Sequence, residues 1–221
     1  MKLCYPDIYT PITISDEYVA SLVIENQYLL YRFLMDICSQ LKGETGNVVL
    51  SINERLVSID KGVDLLTDFV TFDGNKKNLL TKIQHAMEKI ANDEVYFMRT
   101  QRLMAELECY LSDLALEEEV DVAYEKLSLG NLLKSVGMRV IIDYNKLVEK
   151  LFAYMDLVKK FEGDKLFILV NLRSFVNDED MEMFLRTSLE HGMKMLLVEG
   201  HACPLLSLEK RRVIDVDLCE I

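Results

Sequence analysis

Apolar and polar positions fall into three successive patterns along the chain. From Met1 to about Thr67 the apolar residues run in short groups, PITIS at 11–15, ASLVIE at 20–25 and VVLSI at 48–52, as strands bounded by polar turns do. One stretch breaks this pattern. In NQYLLYRFLMDICSQL, Leu30, Phe33, Leu34, Ile37 and Leu41 recur at helical spacing, which predicts an amphipathic helix ended by Lys42 and Gly43.

After TDFVTFDGN at 67–75 the period turns helical. Leu79, Ile83, Met87 and Ile90 form one stripe, and Tyr96, Leu103, Leu107, Tyr110 and Leu114 a second, with Asn92 and Asp93 between them. Two antiparallel helices joined by a short turn are expected. A β-like piece (VDVAY), a short helix in SLGNLLKSVG with Ser128 at its N-cap, and a second β-like piece (MRVII) follow. The last part alternates again: a helix through Leu147, Leu151, Tyr154, Met155 and Val158, the apolar strand LFILV, a helix opened by Asp178, Glu179 and Asp180, and the strands MKMLLVE and VIDVDL. Acidic residues suit a helix start, and apolar strands separated by helices predict a parallel sheet with right-handed crossovers. The expected fold is an α/β head, residues 1–67 and 144–221, interrupted by a mainly α-helical leg insertion at 68–143.

Half of the 221 residues are hydrophobic, enough for one large packed core or two small ones. No apolar run approaches the roughly 20 residues that cross a bilayer, and Pro6, Asp7 and Pro11 interrupt any signal-peptide core near Met1, so a soluble cytoplasmic chain is expected. Five cysteines are scattered without ligand spacing, which points to free thiols rather than a disulfide framework or a zinc site. The formal charge of −12 repels polyanions on average. A nucleic-acid role therefore requires cations gathered on one face, or a bound metal ion.

The motifs that hold phosphate are missing. Neither GxxxxGK[ST] nor GxGxxG occurs, and Gly43 and Gly46 precede a strand rather than joining a strand to a helix. In KLFILVNLRSF, at 165–175, the strand runs into Asn171, where a nucleotide hydrolase keeps a charged ligand for magnesium. His85 and His191 lie on helices, and His201 stands two residues from Cys203 in a loop, a spacing that seldom aligns a base with a nucleophile. No catalytic residue is assigned. The run Glu117, Glu118, Glu119, Asp121 and Glu125 is either a solvated acidic face or a set of hard oxygen ligands of the kind calcium takes. Lys134 and Arg139 flank a turn at Gly137, Lys159 and Lys160 end a helix, and Lys210, Arg211 and Arg212 precede the final strand. Lys76 and Lys77 open a helix, an end at which positive charge is unfavourable and an anionic partner is favoured.

Four stretches in order, PIT at 11–13, TDFVTFDGN, LLKSVGMRV, and KLFILVNLRSF followed by an acidic helix start and MLLVEG, resemble the small accessory adaptation protein of type II-A CRISPR systems, the DNA-binding member of the Csn family. The resemblance covers the whole chain. It implies a P-loop-ATPase-like head without the phosphate-binding motif, a helical leg, and no enzymatic activity. It further implies a cytoplasmic homotetrameric ring that binds double-stranded DNA ends with calcium and supports spacer acquisition in antiviral defence, beside the CRISPR integrase and effector proteins. By that resemblance Lys134 and Arg139 are DNA-facing cations, to which their place at a helix start adds Lys76 and Lys77, and Glu119, Asp121 and Glu125 match the calcium ligands, with Glu117 and Glu118 as neighbouring carboxylates. Ala123, Tyr124 and Asn131 depart from a more acidic pattern in relatives. A divergent nucleotide hydrolase and a protein-interaction scaffold of a defence complex are the alternatives.

Overall fold

The computed structural model describes residues 1–117 and 127–221. They divide into two compact units, Met1–Gly74 with Ile142–Ile221, and Asn75–Ile141. Residues 68–74, which the sequence pattern assigned to the insertion, lie in the first unit because its core takes their aromatic rings. Phe69 is buried, with its ring 5.9 Å from that of Phe175, and Phe72 stands edge-on to Tyr154 at 5.3 Å.

The first unit is built on five parallel strands, β3 (Val19–Ile24), β6 (Val63–Leu66), β7 (Leu166–Val170), β8 (Lys194–Glu199) and β9 (Glu209–Ile214), in the order β6-β7-β8-β3-β9. Every residue of β3 and β7 is buried, the mark of central strands covered on both faces. Alternate residues go to opposite sides. Leu166, Ile168 and Val170 join one core with Leu29, Phe33 and Ile37 of helix α1 (Gln27–Leu41), leaving Phe167 and Leu169 for the other face. Helices α6 (Leu147–Glu162) and α7 (Asp178–Glu190) pack on each other and bury the stripes Leu151, Tyr154, Met155, Val158 and Met181, Phe184, Leu185. A single-turn helix, α2 (Ile59–Gly62), leads into β6.

A second, antiparallel sheet in the order β2-β1-β4-β5 extends the first core with Leu3, Ile12 and Leu50. Its strands are β1 (Lys2–Tyr5), β2 (Ile8–Thr13), β4 (Val49–Ile52) and β5 (Arg55–Val57). The β4–β5 hairpin turns at Asn53 and Glu54, both at positive φ (48° and 64°), the geometry whose twist matches paired strands.

The second unit contains α3 (Lys77–Ala91), α4 (Phe97–Glu117) and α5 (Leu129–Ser135). Asp93 accepts the Val95 and Tyr96 N–H groups through Oδ1 (3.0 and 3.1 Å), and the Thr100 hydroxyl donates to the Ala91 carbonyl at 2.9 Å, so the first turn of α4 folds over the end of α3. Two expectations fail here. On α4 the half-buried face is Thr100, Met104, Leu107, Leu111 and Ala115, whereas Tyr96, Leu103, Tyr110 and Leu114 are exposed. The helix is apolar over a wide arc, and the covered part lies beside the stripe that periodicity selected. At 138–142, MRVII forms no strand; the backbone N–H and C=O of Val140 are both taken by the side-chain amide of Asn75. The VDVAY piece lies outside the described residues.

The final strand starts earlier than periodicity suggests. Lys210, Arg211 and Arg212 lie inside β9 rather than before it, and 215–218 form a turn held by Asp215.

Candidate nucleic-acid interface

In α/β folds of this kind ligands enter at the carboxyl ends of the parallel strands. Here that edge is filled by the chain itself. β3 passes through only Glu25 and Asn26 into α1, where Asn26 Oδ1 accepts the Leu29 N–H at 2.9 Å and Nδ2 donates to the Val216 carbonyl at 2.8 Å. No glycine-rich loop intervenes, so there is no ring of free amides to hold a phosphate.

The asparagine at the end of β7 has a structural task. Asn171 adopts left-handed backbone angles (φ 56°, ψ 32°) as it enters a 3-10 turn at Leu172–Ser174, a conformation Asn tolerates better than most residues. Its Oδ1 accepts the Gly200 N–H at 2.9 Å and its own N–H donates to the Val198 carbonyl at 2.8 Å, tying the ends of β7 and β8 together.

Beside it lies an ionic cluster that sequence reading missed. The Arg173 side chain, 2 % exposed, donates to Asp178 Oδ1 (2.6 Å), Glu209 Oε2 (3.3 Å) and the Pro204 carbonyl (3.1 Å). Arg211 donates to Glu209 Oε1 from Nε (2.9 Å) and Nη2 (2.7 Å), and also to the Cys203 and Pro204 carbonyls. Glu199 accepts the Arg173 backbone N–H at 3.2 Å, but its Oε2 is buried without a partner. Burial outweighs the nearby guanidiniums and pushes its carboxyl up to about 7. Burial likewise raises the Cys203 thiol, the opposite of what activates a nucleophile. His191 is no better equipped: its Nδ1 lies 2.9 Å from the Thr187 carbonyl oxygen, and its ring stands edge-on to Phe152.

Several basic groups that the sequence displays are committed to internal partners. Arg212 pairs with Glu220 at 3.0 Å, Arg211 with Glu209, and Lys159 donates to the His191 carbonyl at 2.7 Å. The four expected DNA-facing cations all belong to the second unit. Lys76 is the N-cap of α3 and makes no side-chain cap bond, Lys77 is its first residue, and the first turn carries no acid. Asn75 Oδ1 accepts the Val140 N–H at 2.8 Å and Nδ2 donates to the Val140 carbonyl at 3.2 Å. This two-bond clamp fixes the backbone next to Lys76 against the backbone next to Arg139, although 65 residues separate the partners. Lys134 stands in the last turn of α5, before the turn at Gly137 (φ +64°). The clamp residues carry no charge, and no local signal marks them; only the pairing of a half-buried Asn with a distant backbone reveals their part.

Of the expected calcium ligands, Glu117 is the exposed last residue of α4, while Glu118, Glu119, Asp121 and Glu125 lie outside the described residues. Among the described residues no group of three His, Cys, Asp or Glu side chains is arranged to hold a metal. Just beyond the run, Ser128 caps α5 by accepting the Asn131 N–H at 3.2 Å. Glu88 of α3 reaches the start of the same helix, where a methyl group at Gly130 would lie 1.6 Å from its Oε1.

The family model for the CRISPR-associated protein (Cas_Csn2) matches residues 40–218. The chain belongs to the Csn2 family. This is the type II-A CRISPR-associated family that the sequence resemblance pointed to. The chain is 24% identical over 119 residues to the CRISPR-associated protein Csn2 of Streptococcus agalactiae, an alignment covering 53% of each, so it spans about half the length of that curated relative. It is also similar in fold to Stu0660 of Streptococcus thermophilus, seen in a crystal structure, with a TM-score of 0.59 at 14% identity over 90% of this chain and 68% of that one. The mixed α/β architecture is thus shared with a solved protein. No helix among the described residues is long and apolar enough to cross a membrane.

Proposed function

We propose that this Csn2-family chain is a non-catalytic protein of CRISPR adaptation that binds double-stranded DNA ends as a homotetrameric ring and so supports spacer acquisition. The observation that carries the reading is the Asn75–Val140 clamp, which holds Lys76 and Lys77 at an uncapped helix start beside the segment bearing Arg139. Cations arranged along backbone rather than around a pocket suit phosphates read without regard to sequence. Four copies of a few cations around one duplex would overcome the average charge of −12 if the acidic residues face outward. In this reading the first unit is a P-loop-ATPase-like head whose phosphate loop has been replaced by Glu25 and Asn26. Calcium is assigned to Glu117, Glu118, Glu119, Asp121 and Glu125, whose carboxylates supply the hard oxygen ligands that ion takes. The CRISPR integrase and effector proteins are the protein partners.

The nucleotide-hydrolase alternative lacks support at the carboxyl edge of the sheet, where Arg173 is paired with Glu209 and the Asn171 side chain is taken by the Gly200 N–H. The scaffold alternative is separated by charge reversal. Lys134→Glu with Arg139→Glu weakens duplex binding and lowers the salt dependence by about one unit of slope for each phosphate no longer neutralised. Spacer acquisition in cells falls with it if DNA binding is the function. Acquisition that persists after DNA binding is abolished would instead make the chain a scaffold.

A further inference from the structure

The segment from Gly200 to Leu208, between β8 and β9, contains no helix or strand, and the buried ionic cluster supplies much of what holds it. Arg173 and Arg211 donate to the carbonyls of Cys203 and Pro204, and Glu209 Oε2 accepts the Leu206 N–H at 3.3 Å. The cluster also holds more acids than bases. Arg173 comes from the 3-10 turn after β7 and Arg211 from β9; facing them are Asp178 of α7, Glu209 of β9 and Glu199 of β8, with the Cys203 thiol alongside. Two guanidiniums balance two carboxylates. The third, Glu199, is 3 % exposed and has one oxygen with no partner, and burial without a partner for that oxygen favours its neutral form.

We propose that Glu199 is a proton-operated latch for the segment 200–208: protonated, it leaves Arg173 to the Pro204 carbonyl and Glu209, and ionised, it draws Arg173 away and loosens the segment. On ionisation the proton passes to solvent, and an extra negative charge remains buried beside Glu209. That charge is stabilised only by recruiting a guanidinium now engaged elsewhere. The carboxyl's upward displacement to about 7 puts the change near neutral pH. Release of the segment would uncover the carboxyl edge of β8, with Arg173 and Arg211 beside it.

Amide hydrogen exchange on the full chain at pH 6 and pH 8, corrected for intrinsic rates, tests this. Protection of the Leu206 and Ser207 amides, hydrogen-bonded to Glu209 and Glu182, should fall by about tenfold or more relative to β7 and β8, the equivalent of one pKa unit of coupling. In Glu199→Gln the same amides should keep their protection across that range. Alkylation followed peptide by peptide gives a second readout. The rate at Cys203 relative to the exposed Cys109 and Cys219 should rise between pH 6 and 8 in the wild type. An unchanged wild-type segment by either method overturns the latch, as does an equal loss of protection in Glu199→Gln; should that variant not fold, the two wild-type profiles decide.

Discussion

Replacing Arg173 by leucine tests whether the ionic cluster holds the carboxyl edge of the sheet. The guanidinium is 2 % exposed, and its three side-chain partnerships are unequal. Asp178 has a side chain 57 % exposed and turns to water at little cost. Glu209, with a side chain 1 % exposed, cannot, although Arg211 still reaches it at 2.7 and 2.9 Å. Breaking a buried pair outright costs about 3–5 kcal/mol; the surviving Arg211 pairing keeps the cost near the lower end, and Arg211 still donates to the Pro204 carbonyl at 3.2 Å. The expected loss at pH 6, where Glu199 keeps its proton, is about 3 kcal/mol, which for a chain of this size lowers Tm by about 6–12 °C. Calorimetry and urea unfolding followed by circular dichroism measure it. Arg173→Leu with Glu209→Gln should recover at least about 1 kcal/mol through the coupling of the two sites. A loss below about 1 kcal/mol for Arg173→Leu, or strict additivity in the double variant, would refute the reasoning.

Three other outcomes are expected. Because the Glu199 carboxyl sits near 7 in the folded chain against an ordinary 4.5, its contribution is fully present below about 4.5 and is lost as pH rises to about 7. Glu199→Gln should therefore stabilise by up to ~3 kcal/mol at pH 8 and leave stability unchanged at pH 4 in thermal melts. Asn171→Ala should cost about 2 kcal/mol, from its left-handed backbone and the abandoned Gly200 N–H. Asn171→Gly should recover the backbone share, and Asn171→Asp, which keeps the acceptor, should gain no magnesium-dependent ATP hydrolysis in a phosphate-release assay. Gly74, at φ +70°, leaves room for Ile142, whose Cδ1 would lie 2.5 Å from an added methyl. Gly74→Ala should destabilise the first unit by about 2–3 kcal/mol in urea titrations.

The helices and buried strands were legible because their signals are local. Asn26, Ser128 and Asn177 cap helices within three residues of themselves, and LFILV is apolar throughout because both faces of β7 are covered. Short elements were not. β1, β5 and β6 have three or four residues each, too few to show a period, and they are strands because of what they pair with. On α4 the residues at 103, 110 and 114 and those at 104, 107 and 111 are both apolar, so covering decides between faces where composition does not. MRVII alternates as a strand does, yet its hydrogen bonds go to the Asn75 side chain. Among the candidate cations, Lys76 and Lys77 stood out as misplaced charges at a helix start, a local observation. Their juxtaposition with the Arg139 segment depends on a pairing across 65 residues and leaves no trace in the spacing. Arg173 reads as one more polar residue in NLRSF; its importance comes from Glu209 and Pro204, more than 30 positions away.

Binding to linear and to covalently closed circular duplex of the same sequence, with calcium and with chelator across a salt series, tests the central proposal most directly. A ring loaded at DNA ends predicts strong preference for the linear form, weakened steeply by salt and by removal of calcium. Equal affinity for both forms, or no affinity for either, would contradict it.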